Sequence, residues 1–144
     1  MEQKIDFLTM PHDYVVCWHP DCPMADNCLR RLAAEHLPAE RCTVPSVNLH
    51  SVAVQSHHCP MQRPAAMMRV AYGMRHIYDD VRSIDRQPLY TAIWSKLGNT
   101  MYYRYRNGKR PIMPEVQTQV EVIFHSFGYT DPVRFDRYEE VVAW

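Results

Sequence analysis

All five cysteines of this 144-residue chain stand between residues 17 and 59, together with five of its eight histidines: His19, His36, His50, His57 and His58. The stretch opens Cys17-Trp-His-Pro-Asp-Cys22-Pro-Met-Ala-Asp-Asn-Cys28 and closes His57-His58-Cys59-Pro60. Thiolate sulfur and imidazole nitrogen are the donors that zinc and iron–sulfur clusters take. Met1-Glu-Gln-Lys-Ile-Asp has neither the basic start nor the apolar run of a secretory signal. No apolar stretch approaches the roughly 20 residues of a membrane-spanning helix. The expected compartment is therefore a reducing cytoplasm, where clustered cysteines serve as metal ligands or redox groups rather than disulfides. Five cysteines could not all pair within one chain in any case.

The spacings are Cys-x4-Cys-x5-Cys and then a long gap to Cys59, wider than the Cys-x2-Cys pairs of common zinc modules. Cys17, Cys22, Cys28 and Cys59 each lie beside a turn or a helix start, where sulfurs can converge, and four thiolates complete a tetrahedral shell. Cys42 falls in an extended connector; it stands in reserve with His19, His57 and His58. The expected cofactor is structural zinc. The steps Cys22-Pro23 and Cys59-Pro60 keep an iron–sulfur cluster open as the alternative, since proline after a ligand cysteine shapes the loop around such clusters. A third reading is buried or redox-active thiols without metal, with Cys28 activated at a helix start.

At this length the chain fits one domain with a substantial core. It divides in character into a Cys-rich N-terminal lobe, 1–62, and a helical C-terminal lobe, 63–144. Residues 1–16 read as an arm ending in the short strand Tyr14-Val15-Val16. A helix follows Asp26-Asn27, with Leu29, Leu32, Ala33 and Leu37 on its apolar face. Met67, Val70, Ala71, Met74, Ile77, Tyr78 and Val81 recur at helical spacing and predict a helix between Pro64 and Arg82. Leu89, Ile93, Trp94 and Leu97 predict a second helix, closed by Gly98. Val116, Val120, Ile123, Phe124 and Phe127 predict a third, with Pro114 in its first turn and Gly128 after its end. Phe135 to Trp144 reads as a last amphipathic turn or helix. The expected fold is thus mainly α with minor β: a small helical domain with a metal-stabilised, Cys-rich N-terminal knot.

Formal charge is zero, so no global field advertises a polyanion or a membrane. The halves differ: residues 1–62 carry 4 Lys+Arg against 7 Asp+Glu, and residues 63–144 carry 12 against 9. The basic excess includes the stretch 101–112, in which Tyr102, Tyr103, Arg104, Tyr105, Arg106, Lys109 and Arg110 alternate ring and cation. Cations neutralise phosphates and phenols stack on bases, so these seven residues form a candidate nucleic-acid surface. The alternative is a β-hairpin turning at Asn107-Gly108 with solvated arginines. Residues 89–128, with a Leu-Gly turn and a Gly-Lys-Arg run between helices, faintly resemble the phage-repressor type of helix-turn-helix.

Across most of its length the chain resembles a family of short uncharacterised proteins from Bacteroides-type bacteria, a domain of unknown function. The residues that carry the resemblance are Cys17-x4-Cys22-Pro-x4-Cys28-Leu-Arg, Cys59-Pro60, Tyr102-Tyr103-Arg104 and Pro114-Glu-x-Gln117 leading to Ile123-Phe124. The resemblance implies an intracellular bacterial protein and brings no activity with it. The expected function is a non-enzymatic binding or regulatory module that contacts nucleic acid or a nucleic-acid-handling machine, with no membrane and no small-molecule substrate. An iron–sulfur or thiol redox protein is the alternative. A protein–protein interaction subunit using the Met67–Val81 face is the third possibility.

Overall fold

The computed structural model describes residues 4–144; the first three residues of the expected arm lie outside that range. The chain falls into two compact units, residues up to Met67 with Val142–Trp144, and Met68–Val141. Helix accounts for 38 % of it and strand for 12 %, a small α/β fold rather than the mainly helical one expected. The helices are α1 (Leu29–Glu35), α2 (Val52–Gln55), α3 (Ser83–Leu97), α4 (Asn99–Arg106) and α5 (Pro114–Ser126). The strands are β1 (Met67–Tyr72) and β2 (Arg137–Val142), which pair in one two-stranded sheet. Bonds from Asp136 N to Gly73 O and from Ala143 N to Ala66 O fix the pairing as antiparallel.

The expected metal-stabilised knot is corrected too. Among the described residues no three Cys, His, Asp or Glu side chains are placed to hold a metal ion, and every cysteine is a free thiol. Small apolar clusters hold the first unit, one around Met10, Val16, Leu29 and Ala33 and another around Val47 and Val54. Arginines cross-link its loops. Arg30 donates to the carbonyls of Met61 and Val15, both at 2.8 Å, and Arg41 donates to Met10 O at 2.8 Å. Arg63 donates to Ala143 O and Trp144 O, at 3.0 and 2.6 Å. Each guanidinium offers several donors in a fixed fork, so one side chain can satisfy loop carbonyls that have no strand partner.

The second unit has a single larger core that includes Met74, Leu89, Ile93, Tyr102, Ile112, Val120 and Phe124. Of the periodic residues of 67–81, Val70, Ala71, Met74, Ile77 and Val81 are buried and Met67 and Tyr78 half-buried, but the backbone carrying them is β1 followed by turns. Ala71 exchanges both of its backbone bonds with Ile112, and Gly73 then turns at φ +83°. The Phe135–Trp144 helix is likewise replaced, by β2. Pro114 opens α5 as expected, and Gly128 follows its cap with φ +88°.

Candidate functional site

The loop before α1, the start of α1, the segment leading to α2 and the turn after it all face one small cavity in the first unit. Its wall contains Cys17, Cys22, Cys28 and Cys59, together with His19 and the thioethers of Met24 and Met61. Cys17 and Cys28 are buried; Cys22 and Cys59 are half-buried. Each is placed by a local constraint. Cys17 N donates to Arg30 O, Cys22 O accepts from Ala25 N, Cys28 is the residue before α1, and Cys59 O accepts from Gln62 N in a turn. The cavity measures about 20 Å³, room for a single water-sized atom.

Two features make this wall more than a group of buried thiols. His19 Nδ1 is buried without a hydrogen-bond partner among the described residues, a state in which very few buried polar atoms are left. Arg30 and Arg31 also line the cavity. Arg30 is tethered by its two carbonyls and lies over the Tyr14 ring at 5.0 Å. Arg31 donates to His19 O and pairs with Glu35 at 2.8 Å. Both guanidinia are thus held in place beside the cavity. The reserve ligands separate: His19 belongs to the cavity, whereas Cys42, His57 and His58 are exposed and do not line it.

The basic aromatic stretch lies on α4 and the turn after it, so the hairpin at Asn107-Gly108 is not formed. Tyr102 is 0 % exposed and Tyr105 is buried, both in the core, which removes them from any contact surface. Tyr103, Arg104, Lys109 and Arg110 are exposed, and Arg106 is half-buried. Only one residue, Gly98, interrupts α3 and α4, whereas a helix-turn-helix needs a turn of roughly three to four residues.

Arg106 also reaches a second concavity, about 580 Å³ in the second unit, shared with Arg75 and Arg86 and walled by Tyr78, Tyr90 and Tyr103. The phenols pair there: Tyr78 with Tyr102 at 3.0 Å and Tyr90 with Tyr103 at 2.9 Å. Burial, then the Tyr102 hydroxyl, raises the Tyr78 phenol far above its ordinary range. The Arg106 charge acts in the opposite direction on Tyr78, Tyr90 and Tyr102. Arg75 and Arg86 escaped the sequence reading because neither lies near the aromatic stretch in the chain. Met24 and Met61 escaped it because an isolated methionine reads as packing. Arg30 and Arg31 stand two and three residues after Cys28.

Among the described residues no helix is long and apolar enough to cross a membrane. The family of unknown function DUF6078 matches residues 1–144. No curated protein and no solved structure matches the chain.

Proposed function

The chain belongs to DUF6078, and we propose that it is a binding module whose first unit loads one soft metal ion, zinc foremost, on Cys17, Cys22, Cys28 and Cys59. The carrying observation is that these four cysteines and His19, whose Nδ1 has no hydrogen-bond partner among the described residues, line a space the size of one atom. Four thiolates around a divalent ion leave net negative charge, and Arg30, which has no carboxylate partner among the described residues, offsets part of it. A space of about 20 Å³ favours a single ion over a cluster of several irons and sulfides. The unit keeps its shape by arginine bonds and apolar packing, so the ion enters a folded protein and the side chains rotate to meet it.

Elemental analysis of the purified protein, and titration of chelated protein with zinc against a chromophoric chelator, test this. One zinc per chain is expected, lost in Cys17→Ser with Cys59→Ser and retained in Cys42→Ser. Failure of the wild type to compete for zinc, or equal loss in Cys42→Ser, removes the reading.

A second reading concerns the partner. The exposure of Arg104, Lys109 and Arg110 beside Arg106 favours contact with nucleic acid, with Tyr103 left as the one ring of the stretch open for stacking. Four cations bound the effect. Log affinity for single-stranded DNA against log salt is expected to fall with a slope no steeper than about −3. Arg104→Ala with Lys109→Ala should flatten it. A slope unchanged by that pair, or no binding at low salt, ends the proposal.

A further inference from the structure

From the concavity of the second unit, and independently of the metal reading, we infer that the chain binds the phosphate of a nucleotide on Arg75, Arg86 and Arg106. The concavity measures about 580 Å³, within the range of small-ligand sites. Three guanidinia face it against one carboxylate, that of Asp79. Asp79 is already held by His76 Nδ1 at 3.1 Å.

Among the described residues Arg31, Arg82 and Arg137, three of the chain's thirteen arginines, find carboxylate partners. The three arginines of the concavity find none among the described residues. Their remaining bonds position them instead. Arg75 Nη2 donates to Asn107 Oδ1 at 3.2 Å, while the Arg86 fork rests on the carbonyls of Val81 and Asp79 at 3.3 and 3.4 Å. Among the described residues each keeps further N–H donors unused, and Arg106 keeps all of its own. Like charges gathered in one hollow repel one another, and an anion that accepts from several forks at once relieves this.

A phosphate has the charge and the oxygens to do so, which is why guanidinium forks are over-represented where it is bound. The aromatic wall adds the second half of the ligand. Tyr90 and Tyr103 lock their hydroxyls together. Tyr103, 41 % exposed, is the most open of the rings there and offers a face for a base. A phosphate with an attached planar base, at the size of one nucleotide, matches arginines and tyrosines in a single hollow. The same chemistry reaches the site either as a free mononucleotide or as one phosphate of a strand.

Isothermal titration of the full chain at low salt separates these sources, using AMP, ATP, adenosine and a short oligo-dT as probes. Saturable binding of AMP or ATP is expected, with adenosine weaker by about 100-fold or more. Arg106→Gln and Arg86→Gln should each weaken nucleotide binding by about tenfold without changing the circular-dichroism spectrum. If oligo-dT binds and mononucleotides do not, with the same loss in Arg106→Gln and Arg86→Gln, the phosphate belongs to a strand and the site stands. Binding that survives both substitutions unchanged, or no saturable binding of any phosphate-bearing probe, overturns it. Because Cys17→Ser with Cys59→Ser abolishes only the proposed zinc site, failure of one proposal is distinguishable from failure of the other.

Discussion

Gly73 leaves β1 at φ +83°, and an added Cβ there would stand 2.4 Å from Asp136 Oδ2 and 2.9 Å from its Cβ. The carboxylate is not free to swing away, because it accepts from the backbone N–H groups of Arg75 and His76, at 3.1 and 3.2 Å. Gly73→Ala combines backbone strain with a collision, and an expected loss of about 2 kcal/mol or more should appear as a lower denaturant midpoint at constant slope. Asp136→Ala in the same background should relieve only the clash with the carboxylate, since the Cβ of residue 136 stays at 2.9 Å, and should leave the strain in place. Asp85 supplies a pH test. Tyr129 Oη donates to its Oδ2 at 2.6 Å and Arg82 pairs with it at 2.9 Å, while the side chain is 17 % exposed. These partners, Tyr129 first, hold its carboxyl below the ordinary value of 3.8. A pKa depressed in the folded state gives stability that is complete above the unfolded value and lost as pH falls through the folded one. Between about pH 5 and about pH 2, the wild type should therefore lose more stability than Tyr129→Phe, as read by urea midpoints. Equal losses would remove Asp85 from the account.

Spacing identifies which residues are buried more securely than it identifies the element that buries them. Val70, Ala71, Met74, Ile77 and Val81 all lie in the core as a helical stripe would require. Yet the first two belong to a strand paired with Ile112 and β2, and the rest follow Gly73 through turns. The partners 40 and more residues away that decided this leave no local trace, so the periodic pattern was read at the wrong period. Helices α3 and α5 were legible because their ends are written locally, in Gly98, Pro114 and Gly128. The reading of 101–112 failed for a different reason. Asn107-Gly108 suits a hairpin, but Tyr102 and Tyr105 have core to fill, and a helix presents both to the same side. Gly98 marks the break between α3 and α4 at φ 84°, ψ 155°. That conformation is open to glycine and nearly closed to every other residue. Nothing lies within 4 Å of a Cβ added there, so Gly98→Ala tests strain alone. A loss of about 1–3 kcal/mol is expected. Asn, which tolerates the left-handed helical region, should do no better here. Rescue by Gly98→Asn would show that α3 and α4 can meet through another geometry.

At the scale of the molecule, the sulfur-rich stretch was legible as a place and not as a means of holding the fold. Residue types named Cys17, Cys22, Cys28, Cys59 and His19, and these do share one cavity, because donors that turn up between prolines sit in loops that fold inward. Residue types could not show that the same loops are tied by Arg30, Arg41 and Arg63, since guanidinium–carbonyl bonds have no sequence period. The difference has a thermodynamic consequence. If metal cross-links were the main restraint on the first unit, chelation would unfold it, as it does in small zinc domains. With arginine bonds and apolar clusters as the restraint, an ion that binds the folded state adds only what mass action gives, RT ln(1 + [L]/Kd). Protein dialysed against a strong chelator should therefore keep its circular-dichroism spectrum and a cooperative melt. Zinc should raise the melting temperature in proportion to the logarithm of its free concentration. Arg30→Ala should lower the melting temperature whether or not zinc is present, through a stability loss of about 2–4 kcal/mol, because two part-buried carbonyls lose their donor. A chelated protein that melts without a transition would return the metal to the centre of the fold, and an Arg30→Ala variant as stable as wild type would remove the arginines from it.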